Sequence, residues 1–331
     1  MAGFRERFLN NLRFLGAVIP TQLLINLSKQ KLIIPVYHAI SDEPIDHIRH
    51  LYPVKTIKDF TKDLDFLLKN YTPIDYFTLK DHILHGKKLA ANSFLLTFDD
   101  GLREFHDVIS AVLIQKGIPA ICFLNSDFID NKKIFFRHKA SLLINSFSQN
   151  KSLEKNEKIL NWIKSHSTER NNDLRKTILA IKYQSKISLD QLAQIANLNF
   201  DQYLFEKQPY LTSNQIVSLR NKGFCFGAHS CDHPEYQLLN LAEQIRQTKD
   251  SVEKVTAQFS LPYRTFSFPF TDHGVSREFF QSIYEKERIV DVSFGCAGLK
   301  RDSIRNHIQR IPLEISNLSA REIINTEYLY F

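Results

Sequence analysis

Phe94-Leu95-Leu96-Thr97-Phe98-Asp99-Asp100-Gly101 decides how the chain is read. Three apolar residues run through Thr97 and Phe98 into two adjacent carboxylates and a glycine, the pattern of a buried strand that stops abruptly at a polar turn. In α/β proteins the carboxyl ends of strands are where chemistry is housed. Two neighbouring carboxylates in a partly dry site cannot both ionise cheaply unless a cation is shared or one of them is held apart for another role. The pair therefore asks for a metal.

A second stretch answers it. After the apolar run Phe224-Cys225-Phe226 comes Gly227-Ala228-His229-Ser230-Cys231-Asp232-His233-Pro234. Two imidazoles four residues apart can face the same way across one turn, a usual spacing for two ligands of one divalent ion. Asp100, His229 and His233 would supply one carboxylate and two imidazoles and leave a position for water, a catalytic rather than a structural zinc arrangement. The same donors accept cobalt, nickel, manganese or iron. Cys231 lies between the two histidines, and its ordinary reading is a small buried thiol.

Together the stretches resemble the first two motifs of the polysaccharide deacetylases of carbohydrate esterase family 4, T-F-D-D-G at Thr97 to Gly101 and H-S-x-x-H-P at His229 to Pro234. The resemblance implies an α/β fold, a distorted (β/α) barrel, and a hydrolase that removes acetyl groups from an N-acetylated sugar in a polysaccharide or glycoconjugate. It implies a divalent ion, zinc first, on Asp100, His229 and His233, with Asp99 as general base. The family's third motif, R-x-P-[FY], is matched by Pro269 and Phe270, whose backbone N–H is then expected to help hold the oxyanion. Ser267 stands where the motif's arginine is expected, and Arg310, in Asn306-His307-Ile308-Gln309-Arg310-Ile311-Pro312, is the candidate substitute that orients the base. Asp291-Val292-Ser293-Phe294-Gly295 occupies the place of the fourth motif without its tryptophan. The acid that protonates the leaving amine is expected at His307 or His273. Tyr37-His38 is similar to a pair found in deacetylases of the poly-N-acetylglucosamine type, which sets His38 at the border of the site.

Two other readings stand beside this one. An O-acetyl ester is the neighbouring substrate, and a glycan-binding relative without catalysis is the competing class, suggested by the missing motif arginine and the unassigned acid. Asp99 argues against the second, because a pure binder has no use for a base beside a metal.

Working outward, Leu32 to His38 reads as the first barrel strand and Ile57 to Tyr71 as an amphipathic helix on the outside. Phe105 to Lys116 reads as a helix closed by Gly117, and Pro119 to Leu124 as the next strand; this β-α-β order places Asp99 and Asp100 at the carboxyl end of a parallel strand. From about 131 to 210 the composition changes to Lys, Asn, Gln, Ser and Glu alternating with Leu and Ile at helical spacing, without a glycine. That is a helical insertion, either a shaper of the substrate cleft or a solvated decoration. Beyond it, helices are expected over Gln215–Asn221, Glu243–Phe259 and Ser319–Tyr328, and a strand over Arg264–Phe270. The chain thus divides into an N-terminal helical segment, 1–31, and a barrel domain, 32–331, interrupted by the insertion.

The 331 residues, 43% of them hydrophobic and 12% aromatic, suffice for one large elaborated domain. The formal charge of +7 is spread along the chain, which excludes a basic nucleic-acid-binding block and fits an anionic glycan or membrane surface better. Cys122, Cys225, Cys231 and Cys296 have neither C-x-x-C spacing nor disulfide density, so a reducing, cytoplasmic compartment is expected. The basic start, Met1 to Phe8, precedes a fairly apolar run that Gln22 and Asn26 interrupt. As a secretory signal it is flawed, with no small-x-small cleavage site, and it is too short to span a bilayer. It reads as an amphipathic helix packed on the domain or lying on the inner membrane face. No feature of the sequence sets an oligomeric state.

Overall fold

The computed structural model describes residue 12 and residues 14–89, 91–150, 156–167, 173–315 and 317–331. In chain order its strands are β1 (Leu32–Ile33), β2 (Pro35–Tyr37), β3 (Thr72–Pro73), β4 (Ser93–Phe94), β5 (Leu96–Phe98), β6 (Ala120–Leu124), β7 (Cys225–Ala228), β8 (Thr265–Ser267), β9 (Val292–Phe294), β10 (His307–Ile308) and β11 (Ile311–Pro312). Eight of them form one parallel sheet in the order β10-β9-β8-β7-β6-β5-β2-β11, while β1, β4 and β3 make a short parallel sheet beside it. β5, β6 and β7 are buried along their whole length, as expected of parallel strands covered on both faces.

Only Gln309 and Arg310 separate β10 from β11. Residues 307–312 are therefore one piece of chain, whose first half pairs with β9 (His307 opposite Ser293) and whose second half pairs with β2 (Ile311 opposite Pro35). Both ends of the sheet are this one segment, so the sheet closes on itself as a distorted (β/α) barrel.

Local chemistry sets the helices. Ile57–Asn70 begins where Thr56 accepts the Asp59 N–H and buries Phe60, Leu64 and Leu67 at helical spacing. Ser213–Asn221 and Ala320–Tyr330 each open with a capping box, Thr212 with Gln215 and Ser319 with Glu322. The expected helix over Phe105–Lys116 is composite, a π-helical turn at Phe105–Ile109 running into an α-helix at Ser110–Lys116 that Gly117 caps in the left-handed region. The strand expected over Arg264–Phe270 stops at Ser267, because Pro269 has no N–H to give a ladder and Phe270 takes a left-handed φ of 55°.

Between β6 and the helix Ser213–Asn221, the described residues hold the α-helices Phe136–Gln149, Glu157–His166, Leu174–Ala180, Ile187–Ile195 and Phe200–Lys207. Their buried residues, Leu143, Ile159, Trp162, Leu189 and Leu192 among them, pack as a hydrophobic cluster apart from the barrel core, joined by Ala39 and Ile48 from the segment after β2. At the other end of the chain, Asn325 Nδ2 donates to the carbonyls of Gly16 (2.8 Å) and Ile19 (3.0 Å), tying the C-terminal helix to the N-terminal segment. Met1 to Phe8, the basic start of that segment, lies outside the described residues. Among the described residues no helix is long and apolar enough to cross a membrane, and Cys122, Cys225 and Cys231 are buried.

Candidate active site

β5 ends at Phe98, and the chain turns out of the sheet through Asp100 and Gly101 with φ of 69° and 60°. A Cβ on Gly101 would also meet Leu124 Cδ2 at 2.8 Å, so both the backbone and the space demand glycine. β6 separates this turn from β7, which delivers His229. The Nδ1–H of His229 donates to the Ser267 carbonyl (2.8 Å), which fixes the ring and leaves the Nε2 lone pair free. Nε2 lies 3.6 Å from Asp100 Oδ1, and His233 Nε2 lies 3.2 Å from the same oxygen. That oxygen is buried without a hydrogen-bond partner.

Three ligand atoms, all within 4.8 Å of one another, therefore converge on a common point. Burial draws the His229 pKa down to about 4 against the pull of Asp99, so this imidazole is neutral and ready to ligate. Burial acts the other way on Asp100, but His233, together with His38 and His229, holds the carboxyl well below the usual range. One anionic oxygen and two imidazole nitrogens, one of them fixed from behind, fit a divalent ion.

Asp99 has a different environment. Arg310 Nη1 and Nη2 donate to its two oxygens, each at 2.7 Å, a bidentate pair in which both side chains are buried. Ser267 Oγ lies 3.3 and 3.4 Å from the same oxygens and accepts from Arg310 Nη2 at 2.6 Å. Arg310 Nε donates to the Gly295 carbonyl (3.0 Å), and the guanidinium lies over the Phe123 ring. Ser267 thus leaves the room that the guanidinium fills. Burial works to raise the Asp99 pKa, but Arg310, with His229 and His38, prevails and keeps it ionised below the usual carboxylate range.

His38 is part of this site to a degree the sequence did not reveal. Tyr37 is opposite Phe98 in the sheet, and the Asp99 N–H donates to the Tyr37 carbonyl (3.1 Å), so His38 follows β2 at the level of Asp99. Glu314, just past β11, takes the His38 backbone N–H (2.8 Å), the Ala39 N–H (3.1 Å) and His38 Nδ1 (2.6 Å). Burial alone would depress the imidazole, but Glu314, with Asp100 and Asp99 behind it, lifts its pKa to about 9.

The two histidines expected to serve as acid are placed elsewhere. His307 is buried, with Nδ1 against Ser293 Oγ (2.7 Å) and Nε2 against Asp272 (3.1 Å), and is packed between Phe268 and Phe280. Its ring is spent inside the wall of the barrel. His273 is exposed on the loop after β8. His38, by contrast, acts on both Asp99 and Asp100. Phe270 does reach the site: its ring stands edge-on to His233, 4.5 Å between centroids.

Comparison with known proteins agrees with this architecture. The family model for polysaccharide deacetylase matches residues 86–282. Among solved structures, the Streptococcus pyogenes deacetylase PplD, in complex with acetate, superposes with a TM-score of 0.59 at 13% identity, covering 90% of this chain and 98% of that one. IcaB from Ammonifex degensii gives 0.57 at 12% identity, covering 90% and 97%. The polysaccharide deacetylase BC0361 from Bacillus cereus gives 0.52 at 14%, covering 90% and 69%. None of the curated proteins matches the sequence. With its fold shared by these structures and more than half its length matched by the family model, the chain belongs to the polysaccharide deacetylase family, hydrolases that remove acetyl groups from carbohydrates.

Proposed function

We propose that the protein hydrolyses the acetamide of an N-acetylated sugar, in a polysaccharide or on a carrier, with zinc as the ion of the Asp100, His229 and His233 site. One observation carries this reading: an ionised carboxylate held by a bidentate arginine stands beside a second, unpartnered carboxylate oxygen that faces two imidazoles. A binding module would need neither the separation of the two aspartates nor the buried arginine. A divalent ion bound there would polarise the acetyl carbonyl and lower the pKa of an attacking water.

The chain's own groups supply the rest. Asp99, held in place by Arg310 and Ser267, takes the proton from the water as its oxygen attacks the carbonyl carbon. The backbone N–H of Phe270 is the protein's donor to the developing oxyanion. As the carbon–nitrogen bond breaks, His38 gives a proton to the leaving amine, and Glu314 keeps the imidazole oriented and charged until that moment. Acetate and the free amine are the products. Assigning the acid to His38 rests on its position across from Asp99 and on its carboxylate partner.

Acetate release from N-acetylglucosamine oligomers by the zinc-loaded protein is the test. Release from O-acetylated glycans with no release from the oligomers would make the chain an esterase. Binding of the oligomers without release from either would leave only a binding module.

A further inference from the structure

The loop that carries both imidazoles, 229–235, has two non-glycine residues in the left-handed region, Ser230 (φ 68°) and His233 (φ 63°). Such a backbone persists only where its surroundings over-determine it. On the barrel side, the N–H groups of Ser126 and Asp127 donate to the carbonyls of Ser230 (3.1 Å) and Cys231 (3.0 Å), and Gln247 Oε1 accepts the Cys231 N–H (3.0 Å). These contacts hold the first half of the loop.

The second half is held by the helical insertion. The Tyr183 hydroxyl lies 2.8 Å from each oxygen of Asp232, the residue before His233, and Lys186 Nζ lies 2.5 Å from Oδ2. Gln247 Nε2 completes the set on Oδ1 at 2.9 Å. Lys186 also sits over the Tyr183 ring, 3.8 Å from its centroid, so the ammonium is placed before it meets the carboxylate. Two residues beyond His233, Glu235 accepts the Tyr183 N–H (3.1 Å) and faces Arg137 (3.5 Å), both from the insertion. A single exposed ion pair would do little. Here three side chains converge on one carboxylate at a strained turn.

We propose that Tyr183, Lys186 and Asp232 form a latch through which the helical insertion fixes the spacing of His229 and His233, and so sets the affinity of the Asp100, His229 and His233 site for its divalent ion. The latch rests on the reading of that site as a metal centre. Its members are positioning residues, since none offers a ligand atom. With the latch released, the turn relaxes from its left-handed conformation and His233 Nε2 withdraws from Asp100.

The test uses the full chain and zinc as the probe. Zinc affinity is measured by chelator competition, and thermal unfolding of the metal-free protein is measured alongside. The Tyr183→Phe/Lys186→Met double variant should unfold at the wild-type temperature without metal yet bind zinc about 10–100-fold more weakly, the usual weight of a group that orients a ligand. Lys186→Arg should restore most of the affinity. Lys139→Met, which removes an ion pair to Asp190 inside the insertion, should leave zinc binding unchanged. Should the double variant lose its fold, Lys186→Met alone carries the same expectation. A double variant that binds zinc as the wild type does overturns the latch, and so does an equal loss in Lys139→Met. A wild-type chain that binds no zinc overturns the metal-centre reading itself, and the latch with it.

Discussion

Arg310 and Asp99 meet edge to edge, nitrogen to oxygen at 2.7 Å twice over, and the arginine comes from the segment that closes the barrel rather than from the motif beside Pro269. Replacing Arg310 by methionine leaves a buried carboxylate unpaired and should destabilise the fold by about 3–5 kcal/mol, read by denaturant unfolding. Arg310→Lys keeps the charge but loses the two-pronged grip, and kcat should fall about 10²-fold for a small displacement of the base. Because Ser267 and Arg310 touch, Ser267→Arg combined with Arg310→Ser should recover part of the activity that Arg310→Ser alone loses. A double variant no better than Arg310→Ser alone would show that the guanidinium works only from position 310.

The two aspartates should separate cleanly. Asp100→Ala removes a ligand, so zinc content and acetate release fall together. Asp99→Asn should keep the metal while hydrolysis drops by about 10²–10⁴-fold, the usual weight of a general base. Metal analysis beside an acetate assay decides it, and equal loss of metal in both variants would make both carboxylates ligands.

The histidines can be told apart by activity. His38→Gln should lower kcat by about 10²–10⁴-fold, whereas His307→Gln should act on stability through its lost partners Ser293 and Asp272 and leave kcat within a few-fold. The reverse pattern would return the acid to His307.

The pH response follows from Glu314. Its carboxylate favours the charged imidazole, so the pair stabilises the fold in full below the unperturbed pKa of about 6.5, and that contribution is lost as the pH rises through about 9. Glu314→Gln removes the stabilisation and lowers the His38 pKa. The alkaline limb of the kcat profile should therefore move to lower pH, and an unmoved limb would mean that another group is the acid.

At the N-terminal segment, Phe14, Val18 and Leu27 are 75%, 63% and 72% exposed, with Arg5, Arg7 and Arg13 in the same stretch of sequence. We propose weak peripheral contact with an anionic bilayer, which flotation with anionic vesicles should show at low salt and lose at high salt. Binding that survives high salt would mark a true anchor.

What the sequence revealed of the site was what sits close together along the chain. Asp99 and Asp100 are adjacent, and His229 and His233 lie four residues apart, so strand-end motifs exposed the candidate base and the candidate ligands. Arg310 was legible only as the arginine expected in place of the motif's own, whereas Glu314 reaches His38 only because the barrel closes, and no local pattern encodes that pairing. His38 and His307 both looked like histidines near strand ends. Register places them differently, since Tyr37 pairs with Phe98 while His307 pairs with Ser293. The insertion was visible as a change of composition, but its hold on Asp232 was not, because Tyr183 and Lys186 resemble any other surface residues until the helices are packed.

The closing of the barrel by residues 307–312 also has a consequence in time. During synthesis, Asp100, His229 and His233 all leave the ribosome before Arg310 and Glu314 do. On the proposed roles, a nascent chain, or one cut short before that segment, carries all three candidate ligands while Asp99 lacks its arginine and His38 its carboxylate. The order of synthesis would then let metal capture precede catalytic competence.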